Sequence, residues 1–317
     1  MHRRYIAALA AAFMAFHGSL TFSQSYPNKP VRIITAEIGS PNDFLARALV
    51  PGLSNRLGQQ VIVDNRSIIA IEVVARASPD GYTLLSYGSP FWLASLLRDN
   101  VPWDPIKDFA PITMGLSSPG ILVVHPSLPV KSLKELIALA KSRPGELNYG
   151  SASTASTTHL AGEAFKAMAG VNIVRINFKS SGSGVIALIG GQIQIMFPNL
   201  GAVGQHVKSG KLRALAVTSA QPSELAPELP TMTAAGLPGF ESVTLSAIYA
   251  PAATPAAIIT RLNQDMVQVL NSAEVKKLFF NAGVETVGSS PERLTAMMQS
   301  EIARLGKVIK AAGIRAE

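Results

Sequence analysis

Short apolar runs with strand character alternate with helical periodicity along almost the whole chain. Nine runs have strand character, and most are followed by a stretch in which apolar residues recur every three or four positions. This alternation predicts an α/β fold with mostly parallel sheets, and nine strands exceed what one small sheet comfortably holds. The predicted strands are 31–37, 60–65, 82–87, 121–126, 147–151, 172–178, 192–197, 213–219 and 244–251.

The chain carries no repeat or low-complexity linker, so the domain limits are predicted from two proline-containing stretches, 125–129 and 221–230. They bracket a central segment of about a hundred residues, an ordinary domain size. We predict two lobes: a discontinuous outer lobe formed by 24–126 and 229–317, and an inserted second lobe formed by 127–228. Two crossings between the lobes make a natural hinge that can close around a ligand.

The N-terminus is typical of an export signal. Basic Arg3 and Arg4 precede an apolar run over 5–16 that is too short to span a bilayer, and a cleavage candidate follows at 21–23. We predict a cleavable signal peptide over 1–23; an uncleaved anchor is the alternative. Because the chain has no cysteine, the exported protein must be stabilised by packed cores rather than by disulfides.

The charge pattern argues against a nucleic-acid partner. The formal net charge is +8, but beyond the predicted signal the basic residues are scattered singly except for adjacent Lys276 and Lys277. Scattered cations indicate a solvated surface with a mild attraction for anions.

Signatures of common enzymes are missing from the sequence. It contains no Gly-x-Ser-x-Gly elbow, phosphate-binding P-loop, Gly-x-Gly-x-x-Gly turn or His-Glu-x-x-His motif. Beyond the predicted signal the only histidines are His125, His159 and His206, and we interpret each as structural. We therefore predict no catalytic residue, no metal site and no cofactor.

The first candidate binding loop follows the first predicted strand. Ile38, Gly39 and Ser40 lead into an apolar helix, whose unpaired N–H groups and dipole favour an anion such as a carboxylate. Asp43 has two interpretations. We favour a helix cap; the alternative is an acceptor for a ligand ammonium, hydroxyl or bridging water.

The second candidate loop, 149–159, also leads from a strand into a helix. It has six hydroxyl residues in the eight positions 151–158, more than one helix cap requires. Hydroxyl and amide donors form strong charge-assisted hydrogen bonds with a carboxylate. We predict this role for Ser151, Ser153, Thr154, Ser156 and Thr157; a plain Ser/Thr-rich loop is the alternative.

A third candidate, also strand then turn then helix, contains Lys179 and Ser180. Lys179 can pair with an anion, but an exposed, solvated lysine is the interpretation we favour. Together the three loops predict a receptor for a small carboxylate.

Several stretches closely resemble the Bug family, the periplasmic receptors of tripartite tricarboxylate transporters. They occur in order over nearly the whole chain that follows the predicted signal, which makes the resemblance specific. The matching stretches are 26–34, 79–84, 103–109, 159–163, 190–192, 210–219 and 230–231.

The resemblance implies a Venus-flytrap fold, a periplasmic location and a ligand between two α/β lobes. It also implies membrane subunits of a transporter as partners, and we expect a monomer. Family ligands include di- and tricarboxylates, acidic amino acids and aromatic carboxylates. They are held by amides, hydroxyls and waters of two facing strand-to-helix loops.

The chain departs from the family pattern mainly at the ligand loops. The first loop is one residue shorter and carries an extra acid, and about four residues of a glycine-rich turn are missing after Arg66. Lost glycines remove places where backbone can approach a ligand closely, so we predict a changed ligand or weakened binding. The altered positions are Glu37, Ser67, Ser153, Ala155, Ser180 and Gln194.

The predicted function is therefore uptake of a small organic carboxylate. Three alternatives stay open: a ligand sensor that acts on a signalling partner, a degenerate receptor that binds nothing, and an enzyme that uses the Ser/Thr loop.

Overall fold

A computed structural model describes residues 26–67 and 69–315, so the predicted signal over 1–23 lies outside the described residues. Strands and helices alternate along this part of the chain. The strands are β1 (Val31–Thr35), β2 (Val61–Asn65), β3 (Thr83–Gly88), β4 (Phe109–Pro119), β5 (Ile121–Val124), β6 (Asn148–Ser151), β7 (Val174–Asn177), β8 (Ile195–Met196), β9 (Arg213–Val217), β10 (Val243–Pro251) and β11 (Glu285–Thr286).

The helices cover the faces of the sheets. They are α1 (Pro41–Leu57), α2 (Ile69–Ala75), α3 (Ser89–Leu97), α4 (Leu133–Ser142), α5 (Thr157–Ala169), α6 (Ser181–Ile189), α7 (Leu200–Lys208), α8 (Ala256–Leu270), α9 (Ala273–Asn281) and α10 (Pro291–Ala311). No helix within the described residues is long and apolar enough to cross a membrane.

The strands form two separate sheets, with the orders β11-β4-β10-β3-β1-β2 and β7-β6-β8-β5-β9. The predicted α/β fold with two lobes is confirmed. The expectation of mostly parallel sheets is wrong, because five of the nine pairings between described strands are antiparallel. The reason lies in the hinge. β4 leaves the first sheet and β10 returns to it, so these neighbours run in opposite directions, as do β5 and β9 in the second sheet.

The chain crosses from the first sheet to the second at Gly120 and returns through 218–242. The two crossings lie side by side, because the Thr218 N–H donates to the Gly120 carbonyl over 2.9 Å. Met232, Leu237 and Phe240 from the returning segment pack in the core of the second sheet. The lobe limits proposed from the sequence, 126/127 and 228/229, stay predictions.

The sequence analysis missed β4, the longest strand of the first sheet. Its eleven residues include prolines, a glycine and two serines, which are typical of turns. In the structure β4 pairs with β10 from Phe109 to Pro119, with two register shifts that accommodate the irregular sequence. Long-range pairing thus overrides a weak local preference.

Two hydrophobic clusters support the first sheet. The first sheet carries one cluster around Phe91 and Trp92 and another around Leu45 and Leu49. Burial of a side chain of this size contributes about 1.5–3 kcal/mol. Leu160 of α5 packs in the first of these clusters, which joins the second lobe to the core of the first. The lobes are therefore in direct contact.

Candidate functional site

Each sheet has a topological switch point at the strand that precedes a candidate loop. β1 lies between β2 and β3, and β6 lies between β7 and β8. The chain therefore goes from each of these strands to the neighbour on one side, and later to the neighbour on the other side. Ligands of open α/β sheets bind at the carboxyl ends of the strands at such a point. The segments 36–40 and 152–156 follow β1 and β6 and lead into α1 and α5. Both loops thus begin where a ligand site is expected.

The first loop is organised by Asp43. Its carboxylate accepts hydrogen bonds from Gly39 N (2.9 Å), Arg47 Nε (2.9 Å) and Asn65 Nδ2 (2.9 Å). Burial alone would raise the pKa of this carboxyl, but these donors outweigh burial and hold the pKa below its usual value. Ser40 is the N-cap of α1 and accepts from Asp43 N. This is the geometry of a helix cap, and it uses a Gly39 N–H that a ligand would otherwise need.

The altered residues at the mouth of the first loop contact each other. Glu37 is exposed and accepts a hydrogen bond from the Ser67 hydroxyl. Ser67 has a positive φ of 51°, a left-handed conformation that glycine adopts more readily. Ile38 is 77% exposed. The acid that the sequence analysis singled out therefore has a partner in the same lobe.

The second loop is held by its own side chains. Ser156 is the N-cap of α5 and accepts from His159 N over 3.3 Å, while Thr158 Oγ1 accepts from Ala152 N over 2.9 Å. Ala155 has a positive φ of 64° and donates its N–H to His159 Nδ1 over 3.0 Å. The loop thus holds a non-glycine residue in a left-handed conformation that glycine adopts more readily.

His159 is buried beneath this loop. Desolvation, assisted by the positive charge of Arg175, lowers its pKa to about 4, so the ring is neutral at pH 7. Nδ1 accepts the Ala155 N–H, which puts the ring proton on Nε2. Arg175 itself donates to Ser151 Oγ over 2.7 Å. Both residues support the loop from below.

Two of the cavities between the lobes adjoin the candidate loops. The first has a volume of about 350 Å³ and separates the second loop from α3. The second has a volume of about 290 Å³ and lies between the first loop and the start of α7. The first is lined by Ser89, Pro90, Leu93, Ala94, Leu97, Arg98, Trp103, Ser153, Thr154, Ala155, Ser156 and Thr157, and the second by Gly39, Ser40, Pro41, Phe44, Leu116, Ser118, Asn199, Gly201, Ala202, Ala282, Gly283 and Val284.

Polar side chains beside β10 connect the two lobes. Thr244 donates to Asn199 Oδ1 over 3.3 Å, and its hydroxyl lies 3.5 Å from that of Thr157. In the first lobe, Asn42 Oδ1 accepts from Ser246 Oγ over 2.7 Å. The sequence analysis missed these residues. Asn199 had the clearest signal, since it follows a strand and immediately precedes a helix.

The structure brings together only some of the predicted site residues. Neither cavity is lined by Ile38 or by the internally bonded Asp43 and Ser151. Lys179 and Ser180 are exposed, follow the edge strand β7 of the second sheet, and line neither cavity. The predicted residues that line a cavity are Gly39, Ser40, Ser153, Thr154, Ser156 and Thr157.

A family model described as "Tripartite tricarboxylate transporter family receptor" matches residues 45–314. The chain belongs to this family. Its members are periplasmic solute-binding receptors rather than enzymes; they bind small carboxylates and work with transporter membrane subunits. The resemblance found in the sequence is thereby confirmed.

Named relatives and solved structures agree with this assignment. Protein BugT of Bordetella pertussis is 33% identical, with 99% of each chain covered. The structure "R. palustris Rpa4515 with adipate" is 35% identical, covers 92% of this chain and 99% of its own, and has a TM-score of 0.73. MatC from Rhodopseudomonas palustris with bound malate is 26% identical, covers 90% and 100%, and has a TM-score of 0.71.

Proposed function

We propose that this protein captures a small organic carboxylate between its lobes and delivers it, as a monomer, to the membrane subunits of a tripartite tricarboxylate transporter. Residues 1–23 direct its export and are removed by cleavage. The hydroxyl-rich second loop holds the anion. The lobes close over the bound carboxylate, and the membrane subunits recognise this closed form.

The observation that carries the proposal is the composition of the cavity beside α3. Ser153, Thr154, Ser156 and Thr157 line one side, and Arg98 is the single charged residue among the described residues that line it. Hydroxyls and a cation with no acid among them favour an anion over a cation or a neutral solute. The adipate and malate bound by two relatives support the same class of ligand.

The backbone of the second loop argues against a degenerate receptor. Ala155 adopts a φ of 64°, a left-handed conformation that costs a non-glycine residue about 1–2 kcal/mol. The bond from Ala155 N to His159 Nδ1 offsets part of this cost. A loop held in this conformation at a residue that carries a side chain has a defined shape that can hold a ligand. A few charge-assisted hydrogen bonds of about 1.5–3 kcal/mol each, less the costs of association and closure, are compatible with roughly micromolar affinity.

The test is a thermal-shift and calorimetry screen of the mature protein with di-, tri-, aromatic and amino carboxylates. A ligand that binds only the folded protein raises the unfolding midpoint by mass action. We expect at least one carboxylate to do so. If only neutral or cationic solutes stabilise the protein, the carboxylate proposal is wrong.

A matched pair of serines tests the position of the site. Ser156 and Ser180 are both N-caps whose hydroxyls accept from the third helical N–H, over 3.3 and 3.2 Å. Ser156→Ala and Ser180→Ala should each destabilise the protein by about 1 kcal/mol, because each removes one cap. Only Ser156→Ala should also weaken carboxylate binding, by about tenfold, since Ser156 lines the cavity. If calorimetry gives the two variants the same carboxylate affinity as the native protein, the second loop is not part of the site. If Ser180→Ala weakens carboxylate binding, the third candidate loop is part of the site.

A further inference from the structure

The cavity beside α3 has two chemically different walls. Hydroxyl residues of the second loop form one wall, and apolar side chains from α3 and the segment after it form the other. The apolar side chains of Leu93, Leu97 and Trp103 are at most 9% exposed and belong to the core of the first lobe, so this wall is firmly packed. Such a wall suits the hydrocarbon part of a ligand.

The starts of α3 and α5 lie at the same end of this cavity. Gly88, which precedes α3, pairs with Ser246 of β10, and Thr157, the first residue of α5, lies beside Thr244 of the same strand. The Ser89 hydroxyl at the start of α3 is buried and has no hydrogen-bond partner within the described residues. Gly88, the N-cap of α3, supplies no side-chain hydrogen bond, so the first N–H groups of α3 and α5 at this end can hold one carboxylate.

Arg98 lines the same cavity at the other end of α3. From Ser89 to Leu97, its last residue, the helix advances about 12 Å, at 1.5 Å per residue, and Arg98 follows it. Asp99, the adjacent acid, pairs with Arg315 over 3.0 Å, and no carboxylate of the described residues forms an ion pair with Arg98. The cavity therefore has a donor-rich end, an apolar middle and a cationic end whose charge has no acidic partner.

We propose that this receptor selects a linear carboxylate with an apolar middle and a second anionic group, and that Arg98 determines this preference by pairing with the second group. The proposal rests on the proposed function, because it names the kind of carboxylate that the same cleft takes. The first carboxylate accepts from the starts of α3 and α5. The chain of methylenes lies along the apolar wall, and the guanidinium binds the far carboxylate.

The length of α3 sets the length of the ligand. The arginine side chain covers part of the distance between the two ends of the helix, and the ligand bridges the rest. A diacid with several methylenes reaches both ends, whereas one with two methylenes reaches only one. A monoacid of equal length gains the apolar contact but not the ion pair.

The test compares adipate, hexanoate and succinate by calorimetry on the mature protein at fixed pH and salt. Adipate should bind the native protein at least tenfold more tightly than either of the others. Arg98→Gln should weaken adipate binding by about 10- to 100-fold, because one charge-assisted pair is lost, and should leave hexanoate binding nearly unchanged. Arg98→Lys should keep part of the preference, since it retains the charge but not the bidentate geometry.

Arg143→Gln is the matched control, because Arg143 is an exposed arginine after α4 and lines neither interlobe cavity. It should bind adipate as the native protein does, and circular dichroism verifies that each variant is folded. If Arg98→Gln keeps the native preference for adipate, or if the native protein has none, this inference is overturned while the proposed function stands. If no carboxylate binds the native protein, both fail.

Discussion

At the scale of single residues, the ligand loops of this receptor depend on side chains that support them from within the lobe. Asp43 and His159 each accept a backbone N–H of the loop before their helix, from Gly39 and Ala155 respectively. His159 Nδ1 must be unprotonated to accept, and protonation of Asp43 would place an O–H on one of two oxygens that both accept hydrogen bonds. The shape of both loops is therefore linked to pH, at different pH values.

His159 should make stability fall at mildly acidic pH. Its pKa is about 4 in the folded protein and 6.5 as the ordinary value, so the unfolded chain takes up its proton first as the pH falls. The contribution is fully present above pH 6.5 and is lost as the pH approaches 4. We expect the free energy of unfolding to decrease by about 1–2 kcal/mol between pH 7 and pH 5 from this group.

Urea denaturation of the native protein and of His159→Gln at the two pH values measures this contribution. The variant should lose the corresponding part of the pH dependence, whereas His206→Gln, in α7, should retain it. A His159→Gln protein with the native pH dependence would show that the ring is not held neutral.

At the scale of elements, the start of α1 is fixed by Asp43 rather than by local sequence alone. The aspartate joins the loop before the helix to Arg47 in the helix and to Asn65 at the end of β2. Three elements thus converge on one carboxylate that is 2% exposed. A cap of this kind holds the loop in one conformation in the absence of ligand.

Asp43→Asn should therefore be clearly destabilising. The amide removes the charge and turns one acceptor into a donor that faces donors, and we expect a loss of about 1–3 kcal/mol in the free energy of unfolding. Asp99→Asn is the control, since its ion pair with Arg315 is exposed on both sides and should contribute little. Denaturant titrations of the two variants with equal midpoints would contradict the role assigned to Asp43.

At the scale of the whole molecule, the lobes approach each other through glycines. Gly201 in α7 lies against Ala282 and Gly283, which follow α9 in the first lobe. A Cβ at Gly201 would lie 3.0 Å from the Ala282 carbonyl oxygen, and one at Gly283 would lie 2.6 Å from Gly201 Cα. This close backbone contact forms one wall of the second cavity.

Gly201→Val should hold the lobes apart and weaken ligand binding by at least about tenfold, because only the population that can close binds tightly. Gly204→Val is the matched control, since it adds the same side chain to the same helix and its Cβ meets nothing within 4 Å. Calorimetry measures affinity, and small-angle scattering with ligand measures closure. Equal affinities for the two variants would mean that closure does not require this contact.

The sequence by itself determined the features that depend on local order. Periodicity predicted nine of the strands, and the strand-to-helix transitions located both switch-point loops, because caps and alternation are properties of neighbouring residues. It did not predict β4, whose sequence is typical of turns and whose pairing with β10 joins residues more than a hundred positions apart.

Only the tertiary structure decided which candidate residues line the cleft. Ser153 and Arg98 line the same cavity although they are far apart in sequence, while Ser151, two residues from Ser153, is bonded to Arg175 and lines neither cavity. Lys179, which follows the edge strand β7, lines neither of these cavities, and its role stays a prediction. Whether a loop residue lines the cleft depends on which distant segment packs against the loop. A local sequence pattern cannot predict this.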